Sequence, residues 1–250
     1  MKCPSDLFAR LLFLAGAALF PQAQALSPQV APFVPAGYSV IQGKAVDLDG
    51  DGRPDRVLAL EDTRSEQGDR ILLLLRGTPA GFRLWAQAAP DVLLCRQCGG
   101  AWGDPLDSLQ AGRGWLRVNH YGGSRWRWSI SQTFGLQQGR WRLTGFQRTS
   151  FDALGTSETS VQVPPAECQN TELSQLVCGL PVTGAGQWRV RSPRAFFYRS
   201  PSSAARAGQY VVAGQRVNVY RRYRTFAEAE FVPGNGPSTI GFLRLSDLTP

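Results

Sequence analysis

The sequence predicts a mostly β protein, with an antiparallel β-rich domain over residues 37–186 and a smaller β unit over residues 187–250. Apolar and polar side chains alternate with a period of two over residues 126–134, as a half-buried strand requires. The 27 glycines and 17 prolines suit many short strands joined by turns. Apolar runs of strand length recur along the chain, and no coiled-coil heptad pattern is present. These observations favour antiparallel sheets.

The predicted elements follow one another closely. A Pro-rich arm over residues 26–36 precedes the first domain and is expected to be irregular and extended. The expected strands are residues 56–60, 70–76, 82–88, 126–134 and a partner starting at Trp141, then 195–199, 209–212, 216–222, 226–231 and 239–243. Four apolar side chains of the clearest strand are predicted to share one buried face: Trp126, Trp128, Ile130 and Phe134. A domain boundary is expected near residues 184–186.

Residues 1–25 have the pattern of a signal peptide. A basic start is followed by a ten-residue apolar run, Leu11–Phe20, which is too short to cross a bilayer comfortably. Ala23-Gln24-Ala25 is a small-x-small cleavage site, so the mature chain is expected to begin at Leu26. The alternative is an uncleaved anchor. The pattern predicts a periplasmic or secreted protein, with no transmembrane segment after removal of the signal.

Four cysteines remain in the predicted mature chain: Cys95, Cys98, Cys168 and Cys178. An even number in an oxidising compartment favours disulfides. The local pairs Cys95–Cys98 and Cys168–Cys178 need the least rearrangement, although four cysteines allow three pairings. A redox Cys-x-x-Cys or a zinc site are the alternatives. Residues 92–94 are predicted to form a strand that enters the first pair, whereas a redox motif normally begins a helix.

Positive charge is concentrated near the C-terminus. Residues 26–186 hold 15 basic and 15 acidic residues, whereas residues 187–250 hold ten arginines against Glu228, Glu230 and Asp247. In an exported protein this asymmetry favours an anionic cell-wall polymer or lipid headgroups as partner, and not nucleic acid. The alternative is charge that serves solubility alone.

An acidic loop carries the strongest motif of the chain. Its residues occupy the positions of a calcium loop: Asp47, Asp49, Asp51 and Asp55 at positions 1, 3, 5 and 9, Gly52 at position 6, and Arg53 at position 7 with its carbonyl. Carboxylates this close repel one another unless a cation lies among them. We therefore predict a structural Ca²⁺ ion, with a solvated acidic turn as the alternative. The loop is not a complete EF-hand, because Leu58 stands at position 12.

The stretch 43–60, which contains this loop and the apolar residues after it, resembles a single FG-GAP or VCBS-type repeat. In that family a strand–loop–strand cradles calcium. The repeat occurs once here, so the resemblance does not imply a propeller.

The C-terminal unit resembles a bacterial SH3-like domain, a small barrel, in four segments: Phe197-Tyr198-Arg199-Ser200-Pro201, residues 208–212, residues 214–219 and residues 241–248. Such domains commonly close with Gly-Trp, where this chain has Phe242. The resemblance implies an aromatic groove for a peptidoglycan peptide, which four tyrosines could line: Tyr198, Tyr210, Tyr220 and Tyr223. The alternative is that most of them belong to the core or its rim.

The middle of the chain does not indicate catalysis. Residues 94–105 and 120–128 resemble uncharacterised exported bacterial proteins that combine these parts. This resemblance supports the architecture and says nothing about activity. His120 is the only histidine, and we expect it in a turn or at a strand end, because no Gly-x-Ser-x-Gly motif accompanies it.

The sequence therefore favours a non-enzymatic, calcium-stabilised binding module that presents a basic domain to cell-envelope material or to an envelope protein. The alternatives are an envelope hydrolase with an unidentified site and an inhibitor or accessory protein that acts through its surface.

Overall fold

A computed structural model describes residues 27–154 and 158–250. The predicted signal peptide, residues 1–25, and Leu26 lie outside the described residues. Within the described part, no helix has the length and apolar character needed to cross a membrane.

The described chain contains sixteen strands and seven short 3-10 helices. The strands are β1 (Tyr38–Val46), β2 (Asp55–Asp62), β3 (Arg70–Thr78), β4 (Gly81–Gln87), β5 (Leu106–Gly112), β6 (Trp115–Gly123), β7 (Trp126–Gln137), β8 (Arg140–Asp152), β9 (Glu158–Val163), β10 (Leu180–Val190), β11 (Arg194–Tyr198), β12 (Arg206–Val212), β13 (Arg216–Arg222), β14 (Phe226–Phe231), β15 (Thr239–Arg244) and β16 (Leu248–Thr249). The 3-10 helices are Ala31–Phe33, Pro90–Val92, Arg96–Trp102, Pro165–Glu167, Leu173–Gln175, Ser203–Ala205 and Leu245–Asp247.

The strands form three antiparallel sheets. The first sheet is a meander in the order β1-β2-β3-β4, and the second is a meander in the order β5-β6-β7-β8-β9. The third sheet, which we call the basic sheet, has the order β12-β11-β15-β14-β13-β10-β16. The prediction of a mostly β, antiparallel protein is confirmed.

The main core lies between the first and second sheets. Leu72 and Leu74 of β3 belong to the same buried cluster as Leu116 of β6 and Phe134 of β7. The cluster also includes Phe226 of the basic sheet, so apolar contacts connect all three sheets. The basic sheet has a second, separate cluster of its own.

The first sheet is buried on both faces. Leu58 of β2 and Leu73 and Leu75 of β3 pack on the side away from the main core, against the buried Val30 of the N-terminal arm. Two-sided burial explains why residues 71–75 are apolar without alternation. The arm predicted to be extended contains the 3-10 helix Ala31–Phe33 and covers this second face.

Two local expectations were wrong. Residues 92–94 do not form a strand, because Pro90–Val92 is a 3-10 helix and Leu93 continues into the cysteine loop. The apolar face of β7 is only partly buried: Phe134 is inaccessible, whereas Trp126 is 58% exposed. Trp126 begins the strand, and the core contacts of β7 start at Ile130.

The predicted boundary at residues 184–186 falls inside β10, which spans Leu180–Val190. Ion pairs and hydrogen bonds connect residues on the two sides of the predicted boundary. Arg148 of β8 forms an ion pair with Glu228 of β14 at 2.9 Å, and Glu167 accepts hydrogen bonds from the backbone N–H and hydroxyl of Thr225.

Candidate functional site

The acidic loop, residues 47–55, connects β1 to β2 and is closed by its own side chains. The carboxylate of Asp47 accepts backbone N–H bonds from Gly50 at 2.7 Å, Asp51 at 3.2 Å and Gly52 at 2.9 Å. Gly50 and Gly52 have φ angles of 80° and 83°, a left-handed conformation that glycine adopts without strain. Desolvation opposes ionisation of Asp47, but these N–H groups outweigh it and lower its pKa.

Asp55 fastens the loop to the first sheet. Its carboxyl group is inaccessible to solvent and accepts the Leu48 N–H at 2.8 Å and the Gly77 N–H at 2.7 Å. Burial raises the pKa of Asp55, an effect that these two hydrogen bonds reduce and the negative charges of Asp49 and Asp51 increase. The residue therefore joins the loop to the end of β3 as well as contributing an oxygen to the acidic group.

Three of the predicted metal ligands come together. Asp47, Asp49 and Asp55 each present one carboxylate oxygen, and these oxygens lie within 4.8 Å of one another. Asp51 is not part of this group. Its Oδ1 accepts the Arg53 N–H at 2.9 Å, and its Oδ2 lies 3.5 Å from the Arg53 guanidinium. The role of the Arg53 carbonyl stays a prediction.

A cation supplied by the protein also contacts this group. Arg76, from the end of β3, forms an ion pair with Oδ2 of Asp49 and lies 3.9 Å from Asp51. That Asp49 oxygen is buried and receives no hydrogen bond of good geometry. A hard oxygen of this kind fits a Ca²⁺ ion, but Arg76 shows that the protein itself supplies part of the counter-charge. The sequence argument from repulsion alone did not include this residue.

Both local disulfides are present. Cys95 and Cys98 are bonded at 2.06 Å, and Cys168 and Cys178 at 2.07 Å. The predicted pairing is confirmed, and bonded sulfurs are not available as zinc ligands. Cys95 directly precedes the 3-10 helix Arg96–Trp102, so the strand argument against a redox motif does not hold.

His120 lies within β6, and not in the predicted turn or at a strand end. It is 2% exposed, and its Nε2 accepts the Leu94 N–H at 3.2 Å. Burial, followed by the positive charge of Arg70, lowers the pKa of His120 to about 4. In a catalytic triad, a carboxylate would orient the histidine ring. Asp104 does not have this role, because both of its carboxylate oxygens accept hydrogen bonds from the Arg70 guanidinium, at 2.7 and 2.6 Å. His120 thus secures the cysteine loop to the second sheet.

The four predicted groove tyrosines do not share one surface. Tyr198 and Tyr223 are buried in the main core, at 6% and 3% exposure. Tyr210 on β12 and Tyr220 on β13 are exposed, but three strands separate β12 from β13 in the basic sheet. The placement of Tyr198 and Tyr223 agrees with the alternative that these rings belong to the core.

Exposed arginines of the basic sheet lie over aromatic rings. Arg194 stacks on Tyr210 at 5.2 Å from the ring centre, and Arg206 on Phe196 at 3.4 Å. The two rings are 5.5 Å apart, so Arg194, Tyr210, Phe196 and Arg206 form one continuous row across β11 and β12, which we call the arginine–aromatic stack. Two further stacks are Arg222 on Trp188 and Arg244 on Tyr198.

Carboxylates neutralise few of these arginines. In the described chain, Arg221 is the one arginine beyond residue 187 with a carboxylate within 4.0 Å. The arginines of the first part that form ion pairs are Arg53, Arg64, Arg70, Arg76, Arg96, Arg140 and Arg148. The positive charge of the C-terminal unit therefore remains available to solvent or to a ligand.

No family model, curated protein or solved structure matches this chain. The resemblances to calcium-loop repeats and to SH3-like domains therefore rest on the motifs in the sequence.

Proposed function

We propose that this chain is an exported binding protein in which a calcium-stabilised β domain presents the basic sheet to an anionic polymer of the cell envelope. The arginine–aromatic stack is the observation that carries the proposal. Its two guanidinium groups are exposed and have no carboxylate partner among the described residues. Export is supported by the signal-peptide pattern and the two disulfides.

Stacking prepares an arginine to bind an anion. A guanidinium that lies flat on a ring loses conformational freedom, while the N–H donors at its edge stay available for carboxylate or phosphate oxygens. An uncompensated patch of one sign also raises the local concentration of an oppositely charged polymer. The resemblance to SH3-like domains also implies that the C-terminal unit binds cell-wall material. Our proposal places that binding on the arginine–aromatic stack instead of on a groove of four tyrosines.

Calcium has a structural role in this proposal. Asp47, Asp49 and Asp55 would hold the ion with oxygen ligands, and the predicted Asp51 and Arg53 carbonyl would complete the shell. Because the Asp55 carboxyl also binds the backbone of Gly77, an ordered loop would stiffen the edge of the first sheet. The ligand polymer would bind elsewhere, on the basic sheet.

Co-sedimentation with purified bacterial sacculi at increasing salt tests the function. We expect salt-sensitive binding that the double variant Arg194→Gln/Arg206→Gln weakens. An arginine near an anionic surface contributes about 1 kcal/mol, so the pair should cost about thirtyfold in affinity.

The matched control is Arg64→Gln/Arg140→Gln, which removes the same charge from exposed, ion-paired arginines. Equal losses in the two double variants, or binding that is unaffected by salt, would contradict the proposal. Release of soluble wall fragments would favour the hydrolase alternative.

A further inference from the structure

The outer face of the second sheet carries rows of uncharged hydrogen-bonding side chains. Cross-strand pairing aligns five of them in one row, with one residue from each strand: Ser108, Asn119, Ser131, Gln147 and Gln162. A neighbouring row contains Tyr121, Ser129, Thr149 and Ser160. We call these two rows the neutral face. Every position in them is a hydroxyl or an amide, and none is charged.

Hydrogen bonds between side chains hold the neutral face in place. Asn119 donates to the Ser108 hydroxyl at 2.9 Å, and Gln147 donates to the Ser160 hydroxyl at 3.0 Å. Thr149 and Ser160 lie 3.3 Å apart through their hydroxyls. Groups that are already positioned lose less conformational entropy when a ligand binds.

The face also contains a concavity. A cavity of about 470 Å³ opens over β6 to β9, and Ser131, Gln147 and Gln162 of the five-residue row line it together with Pro164 and Pro165. One charged side chain, Arg117, also lines the cavity, and its Nε donates to the Thr133 hydroxyl at 3.0 Å. A cavity of this size is within the usual range for small-ligand sites. It therefore lies on the five-residue row itself.

We propose that the neutral face binds an uncharged β-1,4-linked glycan that lies across the strands. The chemistry of the rows supports this choice, because neither row carries a charge, and hydroxyls and amides both donate to and accept from sugar groups. The one arginine of the cavity wall, Arg117, already donates to Thr133 and lies over the Trp115 ring. Neighbouring strands are about 4.8 Å apart, close to the length of one ring in an extended β-1,4-linked chain. Successive rings would thus meet successive side chains of the row.

This site is separate from the basic sheet, and the two proposals can fail independently. The probes are fully N-acetylated chitohexaose and cellohexaose, which are both uncharged, share the β-1,4 linkage and differ in the acetamido group. Isothermal titration calorimetry of the whole mature chain should show binding that persists at high salt, because the glycan carries no charge.

The double variant Gln147→Ala/Gln162→Ala should weaken binding about tenfold or more, because two amides are lost. Ser131→Glu, which introduces a charge at the centre of the row, should abolish it. The control is Gln209→Ala, the same kind of change at an exposed position of β12. Thermal melts show whether each variant is folded.

Absence of binding by both hexasaccharides to the folded parent chain would overturn the proposal. So would binding that survives both Ser131→Glu and the double glutamine variant. Loss of glycan binding in Arg194→Gln/Arg206→Gln, with none in the glutamine variants, would instead place the glycan on the basic sheet.

Discussion

Arginine side chains are held in two different ways in the two parts of this chain. In the first part, many guanidinium groups face carboxylates: Arg70 binds Glu61 and Asp104, and Arg76 contacts Asp49. In the basic sheet, arginines lie over rings, as Arg206 does over Phe196. The difference follows from the supply of acidic residues, since residues 26–186 contain 15 and residues 187–250 contain three.

The comparison shows how one residue type can serve stability in one region and recognition in another. A buried arginine between two carboxylates joins segments that are distant in sequence, and its charge is neutralised. An exposed arginine on a ring keeps its charge and its outward donors. We expect changes in the first group to lower stability and changes in the second to lower binding.

The largest effect is expected at Arg70, whose side chain is 1% exposed. Replacing it by Met leaves Glu61 and Asp104 without their buried cation, which should lower the free energy of unfolding by about 3–5 kcal/mol. Urea denaturation measures this loss. Arg64→Met removes an ion pair whose arginine is 65% exposed and should cost about 1 kcal/mol or less. Similar losses of stability at both sites would contradict the idea that the buried, ion-paired arginines have the larger structural role.

Acid should destabilise the first part through its one histidine. The pKa of His120 is lowered from 6.5 to about 4, so between these values the unfolded chain binds a proton that the folded chain does not. The contribution is fully present above pH 6.5 and is lost as pH falls toward 4, by about 3 kcal/mol. His120→Gln should flatten this part of the curve of stability against pH. An unchanged curve would show that His120 does not control it.

Calcium should give a smaller gain in stability. At ten times the dissociation constant, an ion that binds only the folded state adds about 1.4 kcal/mol, and extracellular calcium sites often require millimolar concentrations. Thermal melts with calcium or chelator should show this gain in the parent chain. Asp49→Asn should remove it, whereas Asp51→Asn, outside the three-carboxylate group, should reduce it less.

Arg76 sharpens the calcium test. Because its guanidinium forms an ion pair with a carboxylate oxygen of Asp49, one of the three grouped carboxylates, Arg76→Gln should increase calcium affinity. Identical melting curves with and without calcium, in both the parent and Arg76→Gln, would contradict the proposal that the carboxylates of the acidic loop bind calcium.

The smallest effect is expected from Arg206→Lys. Lysine keeps the charge but lacks the planar group that stacks on Phe196, so affinity for sacculi should fall by clearly less than the loss of about 1 kcal/mol expected for Arg206→Gln. Stability should be unchanged, which denaturation of the same variant checks. A loss as large as that of Arg206→Gln would mean that stacking geometry matters more than charge.

Local pattern predicted many of the strands but missed others. The bounds expected for residues 216–222 and 226–231 are those of β13 and β14. By contrast, β5 and β6 were not anticipated. A register shift between Leu106 and Ser108 interrupts the alternation in β5, and the inward face of β6 includes the polar His120.

The acidic loop was recognisable because its residues are close together in the sequence, with carboxylates and glycines at fixed spacing. The contact of Arg76 with this loop could not be recognised from the sequence, because only the pairing of β2 with β3 brings Arg76 to the loop. The predicted groove of four tyrosines could not be checked from the sequence for a related reason. Sequence spacing does not show which strands become neighbours, and Tyr210 and Tyr220 belong to strands that are far apart in the basic sheet.

The amino-acid sequence by itself determined the β class, the two local disulfides, the acidic loop and the excess of arginine near the C-terminus. These features depend on composition and on residues a few positions apart, which backbone geometry places predictably. Only the tertiary structure decided that Arg76 contacts the loop, that Tyr198 and Tyr223 are buried, and that five neutral side chains align across the second sheet. Those outcomes depend on strand order and register, which arise from packing between segments distant in the chain.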